Sequence, residues 1–312
     1  MSIKHYGIVA DGHCQGSLSM PVLDEGCGIG ILPTLKTIDP SESAEEIAVN
    51  TSLTDQQIAS YRDNGYLAVE GFLDQSELET WRQCTQEAVE ERLGSSIDHL
   101  TNQQNPNAFY AQVFTQCLRL ADTHSGMHDL IFDERLGKMG ATLAGIDGIR
   151  IWHDQALLNP PHGNPTAWHL DNPYWSFSSR DALSMWITLD DATLSNGCLW
   201  YLPGTHRLAT YENSGIDENL AGLFEVYPDW KAIEPVAAPV TAGSIVWHNG
   251  LIAHAAGANM TIRQRRAMTC AFMPDGSTFN GTRNILTDAY FSSLEVGDVL
   301  NDPKQVPLVW HN

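Results

Sequence analysis

The sequence predicts a mainly β protein with flanking helices, organised as an antiparallel barrel or jelly roll. From Gly148 to Pro274, short apolar or alternating runs are separated by Gly, Pro, Asn and Asp, the pattern of successive strands and tight turns. Ahead of Gly148 the apolar spacing is helical. The chain is also large enough for a sizeable core, with 312 residues of which 43% are hydrophobic and 18% charged.

Residues 1–51, rich in Gly, Ser and Pro and without a sustained period, read as an irregular arm. Residues 52–312 read as a single domain: a helical part over 52–147, a barrel over 148–275 and a C-terminal segment over 276–312. Thr54 is placed to cap a helix running to about Arg62, with Gln57 completing a capping box and Asn64-Gly65 ending it. A strand is expected over Tyr66–Leu73, then a helix opened by Asp74 or Ser76 and reaching Leu93. Residues 94–105 form a polar loop. The spacing of Phe109, Val113, Phe114, Cys117 and Leu118 begins two or three helical segments between Asn107 and Leu143. Barrel strands are expected over 149–158, 167–170, 182–189, 197–202, 244–248, 252–255 and 265–273, with an insertion over 208–236.

The charge balance excludes some partners. With 38 Asp and Glu against 17 Lys and Arg, the formal charge is −21, so nucleic acid is not expected, because its binding rests on basic side chains. No apolar run has the length of a membrane span, and the start lacks the apolar core of a signal peptide. Cys14, Cys27, Cys84, Cys117, Cys198 and Cys270 are scattered without a C-x-x-C pair and read as reduced thiols, three or four of them buried. The expected location is cytoplasmic.

Chemistry concentrates around Trp168-His169-Leu170-Asp171. A His and an Asp two apart share one face of a strand, so both can converge on one point as metal ligands. A second His completes the facial triad used by non-haem Fe(II) oxygenases. Alone, the pair is equally well explained as strand-end residues bonded to their neighbours. Among later candidates, His206 follows a Pro-Gly turn and suits a loop or backbone contact, and His248 precedes the hairpin signal Asn249-Gly250. His254 lies inside an apolar strand and is the best third ligand, with His248 the fallback. Further on, alternation places Arg265, Ala267, Thr269 and Ala271 on one face and Arg266, Met268, Cys270 and Phe272 on the other. An Arg beside a row of small side chains has room to clamp a carboxylate; pairing with a surface acid explains it as well.

The run from Gln155 to Phe272 resembles the phytanoyl-CoA dioxygenase family of Fe(II)/2-oxoglutarate oxygenases, which includes ectoine hydroxylase. The matching stretches are Trp168–Asp171, Ala182–Thr193, Asn196–Arg207, and His254 followed by Asn259 and Arg265. Together with the segment from Leu53 to Leu73, the resemblance covers about residues 52–275. It implies a double-stranded β-helix (jelly-roll, cupin-like) core in which His169, Asp171 and His254 ligate Fe(II). It further implies that Arg265 binds the far carboxylate of 2-oxoglutarate, with Gln155, Asn159 and Ser184 as polar neighbours. Two positions depart from the family: Ala256 stands where a Ser is common, and Asn159 where many members have Lys. Both alter the expected detail of cosubstrate contacts. Asp171 matches the hydroxylating members and not the halogenating ones, which have a small residue there.

The implied reaction consumes O2 and 2-oxoglutarate, releases succinate and CO2, and oxidises a C–H bond of a small molecule, most simply by hydroxylation. Tyr174 and Trp175, directly after the metal motif, are the best substrate contacts, while most of Trp152, Trp168, Trp186, Trp200 and Trp247 are expected to be packing. The segments 94–110 and 208–236 are candidate lids. Only five lysines disfavour a coenzyme A thioester and favour a small metabolite or natural-product intermediate. Alternatives are a non-catalytic metal-binding cupin-like module and a Zn-dependent hydrolase on the same scaffold. The expected assembly is a monomer or homodimer.

Overall fold

Two local signals start the fold. Helix α1, Asp55–Asn64, is capped by Thr54, whose side chain accepts from Gln57 N while the Gln57 side chain accepts from Thr54 N. It ends at Gly65, in the left-handed region with φ +84°. A Cβ there would also sit 2.5 Å from the His206 ring, so only glycine fits. Helix α2, Gln75–Gly94, repeats the device with Asp74 and Glu77. Caps of this kind are each worth about 1 kcal/mol. Between them, strand β1 covers only Tyr66–Val69, shorter than the expected Tyr66–Leu73. The chain turns at Gly71, with φ +66°, and Leu73 N bonds Gly243 O instead of extending the strand.

The computed structural model describes residues 49–95, 100–103 and 108–312; most of the expected arm and parts of the 94–110 loop lie outside them. Strand β2, Thr115–Leu118, is a correction to the helical reading of this region. The segment offers its backbone to the edge of the long strand β3, Gly148–Asn159, pairing Thr115 with Leu158 and Leu118 with Gln155. Pairing with a distant strand overrides local spacing. Helices α3, Ser125–Ile131, and α4, Glu134–Ala144, then follow as expected.

The remaining strands are β4 (Thr166–His169), β5 (Leu183–Thr188), β6 (Leu199–Tyr201), β7 (Val236–Ala238), β8 (Ile245–Asn249), β9 (His254–Ala256), β10 (Arg265–Pro274) and β11 (Leu308–His311). A seven-stranded sheet has the order β1-β8-β5-β10-β3-β11, with β2 also on β3, and a four-stranded sheet has the order β4-β9-β6-β7. These are the two antiparallel sheets of a jelly roll, and the fold is the double-stranded β-helix that the resemblance implied. Strands β7 and β11 were not foreseen, each being too short to show alternation. Asn249-Gly250 does not close a hairpin; it carries the chain from the large sheet to the small one.

The large sheet has two distinct faces. On the outer one, Leu183, Met185, Ile187, Trp247, Met268, Cys270 and Phe272 pack against the helices in the main core. On the inner one, Trp186, Val246 and Ala267 meet Leu199, Tyr201 and Ala238 of the small sheet. The 208–236 insertion carries the short helix α5, Leu223–Val226, and builds its own cluster from Leu223, Tyr227 and Trp230 against Leu170 and Leu251. The C-terminal segment carries helix α6, Asp288–Ser292, and packs Leu286, Leu300 and Val306 against Trp152, Trp175 and Phe177. Cys117, Cys198 and Cys270 are buried and Cys84 half-buried, all four free. Among the described residues no helix is long and apolar enough to cross a membrane.

Candidate metal centre and cosubstrate pocket

His169 ends β4 and His254 begins β9, and the two are cross-strand partners in the small sheet, with ring centroids 4.1 Å apart. Each ring is oriented by its backbone: His169 Nδ1 lies 2.8 Å from Ala167 O and His254 Nδ1 3.1 Å from Ile252 O. A proton on each Nδ1 then leaves the Nε2 lone pair free, the usual tautomer of a metal-binding imidazole. Asp171 does not share a strand with His169, because β4 stops at His169 and Asp171 sits at the start of a 3₁₀ turn, Asn172–Tyr174. Its convergence comes instead from hydrogen bonds. Asp171 N and Asn172 N both donate to Gly250 O, and Asn213 of the insertion clamps both the N–H and the carbonyl of Leu170.

The result is tight. Asp171 Oδ1 stands 3.6 Å from His169 Nε2 and 3.8 Å from His254 Nε2, and ligand atoms of all three residues lie within 4.8 Å of one another. Burial opposes charge on Asp171, yet His254, His169 and His248 hold its carboxyl well below the usual range. Burial, then the neighbouring His169, keeps His254 well below the ordinary imidazole value, so it stays a neutral donor. The other carboxylate oxygen, Oδ2, accepts from Ser184 Oγ at 2.9 Å and lies 3.2 Å from His248 Nε2. His248 Nδ1 in turn lies 3.2 Å from the Tyr201 hydroxyl. His248, the fallback ligand, is thus a hydrogen-bond partner of the carboxylate and stands outside the three-residue cluster. His206 bonds the backbone carbonyl of Arg62, as its turn position suggested.

The triad opens into a cavity of about 510 Å³. Arg265, Gln155, Ser184, Tyr174 and Trp175 all line it, whereas Asn159 does not. Asn159 is the strand partner of Arg265, buried with both side-chain polar atoms unpaired. Arg265 is 3% exposed, its guanidinium lies 5.2 Å from the Trp186 ring centre, and its Nε and Nη1 have no hydrogen-bond partner. Burial lowers its pKa to about 10, still cationic at neutral pH. The surface acid is taken by its neighbour: Arg266, on the outer face, pairs with Asp190 at 2.7 Å. An unpaired buried cation is costly unless an anion joins it. Two imidazoles, one carboxylate and an orphaned guanidinium therefore fit Fe(II) with a dicarboxylate cosubstrate.

Tyr174 is half-exposed and its hydroxyl donates to Ser214 O, while Trp175 is buried in an offset stack with Phe177. Of the candidate lids, Tyr110 and Phe114 at the edge of one, and Gly215 and Ile216 of the other, line the cavity. Sequence reasoning missed His153, Gln116, Asn213, Asn284 and Ile285. His153 was within reach, since it lies two residues before Gln155 on the same strand face. Gln116 sits on the unexpected strand β2, and Asn213, Asn284 and Ile285 arrive from loops with no periodic signal.

The family model described as phytanoyl-CoA dioxygenase (PhyH) matches residues 61–267, more than half of the chain. The chain belongs to the phytanoyl-CoA dioxygenase family. It is accordingly a 2-oxoglutarate-dependent non-haem iron dioxygenase, with Fe(II), 2-oxoglutarate and O2 as its cofactors. A curated relative, 2-aminoethylphosphonate dioxygenase of an uncultured bacterium (HF130_AEPn_1), is 24% identical over 218 residues, covering 69% of this chain and 79% of its own. The carbocyclase SnoK from nogalamycin biosynthesis superposes with a TM-score of 0.68 at 24% identity, over 82% of this chain and 96% of its own, and speaks for the fold. The epimerase SnoN, crystallised with Fe3+, alpha ketoglutarate and nogalamycin RO, gives a TM-score of 0.65 at 26% identity, over 81% and 97%. Family membership sets aside the non-catalytic module and the zinc hydrolase.

Proposed function

We propose that this enzyme oxidises a C–H bond of a small metabolite or natural-product intermediate, most simply by hydroxylation, with release of succinate and CO2. The observation that carries the reading is Arg265, buried with unpaired Nε and Nη1 in the cavity that the triad opens into. His169, Asp171 and His254 would hold the iron, and Asp171 leaves a hydroxylase-type three-residue set. When bound there, Fe(II) and 2-oxoglutarate would let O2 act as the oxidant, the cosubstrate giving up two electrons as it becomes succinate and CO2. The protein's part is placement. Arg265 fixes the far carboxylate, with Gln155 and Ser184 as polar neighbours and Asn159 beside Arg265 on the adjacent strand, and Ser184 and His248 hold the second oxygen of Asp171. Tyr174, Trp175 and the segments around Phe114 and Ile216 bound the substrate space and exclude water from it.

The test needs no substrate. Fe(II) is added to the metal-free protein without O2, then 2-oxoglutarate is titrated while the visible charge-transfer band of the chelate is followed. The wild type should show the band and His254→Ala should not. Arg265→Ala should require about a hundredfold more 2-oxoglutarate, as expected when a buried charge-assisted pair is lost. A folded, iron-loaded wild type without the band would overturn the reading.

A further inference from the structure

Strand register divides the inner face of the large sheet into rows. One row runs His153, Ala271, Ser184, His248 across β3, β10, β5 and β8. Ser184 and His248 hold Asp171, so this row lies at the metal. Arg265 and its partner Asn159 lie six residues further along the same strands, which sets the direction in which the cosubstrate extends. His153 is on the metal's row but at the other end, two strand spacings or roughly 10 Å from Ser184. Only the methyl of Ala271 stands between them, so the space above it is open.

Much of the cavity wall is apolar or aromatic. Tyr110, Phe114, Trp175, Ile216 and Ile285 line it, from four different parts of the chain, beside the uncharged polar side chains of Gln116, Gln155 and Asn284. Arg265 is the only Lys or Arg among the described residues lining the cavity, and the sequence of 96–107 contains none. A phosphonate, sulfate or thioester-diphosphate would have to leave water next to Asp171 with no protein cation beside it. His153 itself is 8% exposed, and its Nδ1 is buried without a hydrogen-bond partner. Burial lowers its pKa to about 4, so the ring is neutral at neutral pH and carries one N–H and one lone pair. Nothing in the cosubstrate pocket uses it. A hydroxyl, which both donates and accepts, suits such a ring in either tautomer.

We propose that the substrate is an uncharged, ring-bearing molecule whose hydroxyl group hydrogen-bonds the imidazole of His153 above Ala271, an inference that rests on the oxidation reading given above. His153 is then a substrate-anchoring residue, and the ring stacks among Trp175, Phe114 and Tyr110 between the imidazole and the metal. This separates the enzyme from its relative named for 2-aminoethylphosphonate, a molecule with charged groups.

The probes are 2-naphthol and 2-naphthyl phosphate, which share a ring system and differ in charge. Binding of each to the full chain loaded with Fe(II) and 2-oxoglutarate, without O2, is measured by calorimetry. 2-Naphthol should bind at least tenfold more tightly than 2-naphthyl phosphate. His153→Phe should weaken 2-naphthol by about two- to tenfold, the range one hydrogen bond supplies, and His153→Gln should restore most of the loss. Equal or tighter binding of the phosphate, no binding of 2-naphthol, or the same affinity in wild type and His153→Phe would each overturn the inference. If His153→Phe does not fold, His153→Gln against His153→Leu carries the same comparison. The visible chelate band, recorded in the same samples, keeps the two readings apart. A band without 2-naphthol binding overturns the substrate inference alone, and an absent band overturns the oxidation reading with it.

Discussion

The two faces of the large sheet are built from the same strands to opposite rules. On the outer face of β10, Met268, Cys270 and Phe272 are fully packed, and the one cation, Arg266, is paired with Asp190 through its Nε, Nη2 and backbone N–H. On the inner face of the same strand, Arg265 keeps two unpaired nitrogens, its partner Asn159 keeps two unpaired polar atoms, and His153 keeps one. Folded proteins rarely leave buried polar groups unsatisfied; Trp247 Nε1 on the outer face is one such exception, but the five atoms gathered on the inner face mark where other molecules complete the structure. The outer face is given over to packing against the helices, whereas the inner face divides between packing on the small sheet and lining the cavity.

Substitutions on each face can break that contrast. The largest loss of stability should come from Phe272→Ala, about 3–5 kcal/mol in denaturant unfolding, because the ring is fully buried against Trp247. Its affinity for 2-oxoglutarate should change little while folded, and a large change would blur the division of faces. Next is Asp154, an outer-face carboxyl buried near the backbone N–H groups of Leu120 and Ala121 and raised to about 6 by burial. The folded pKa lies above the unfolded one, so the folded state holds the proton longer. Stability from this group is present below pH 4 and falls as pH rises to about 6, by about 2–3 kcal/mol. Asp154→Asn should remove that fall, which unfolding curves at pH 4 and pH 7 would measure against the wild type.

Smaller still is Arg266→Ala, about 1 kcal/mol, since its ion pair with Asp190 is three-quarters buried but reaches solvent. The smallest effect on the cofactor-free protein belongs to Arg265→Met, which should leave the melting temperature unchanged or raise it. Two adjacent arginines would then differ in kind, one holding the fold together and one held in readiness by it. A melting temperature that drops several degrees for Arg265→Met would assign Arg265 a structural role and undo the comparison.

Much of this was legible in the chain itself. The caps at Thr54 and Asp74, the helices they open and the faces of β10 are set by residues within a few positions of each other. Such signals survive in sequence because helix caps and strand alternation are local. His169, Asp171 and His254 as a candidate metal set, and Arg265 as a candidate clamp, are expectations from residue type, order and family resemblance, and the three ligands do come together. Only the tertiary structure decided how they meet. His254 stands across from His169 because β9 pairs with β4, and Asp171 turns inward because Gly250 and Asn213 hold its backbone. Residues 115–118 became a strand because β3 had an edge to fill. The chamber of Tyr110, His153, Ile216 and Ile285 gathers side chains from across the sequence. Contacts of that range depend on sheet register and loop packing, which no local pattern encodes.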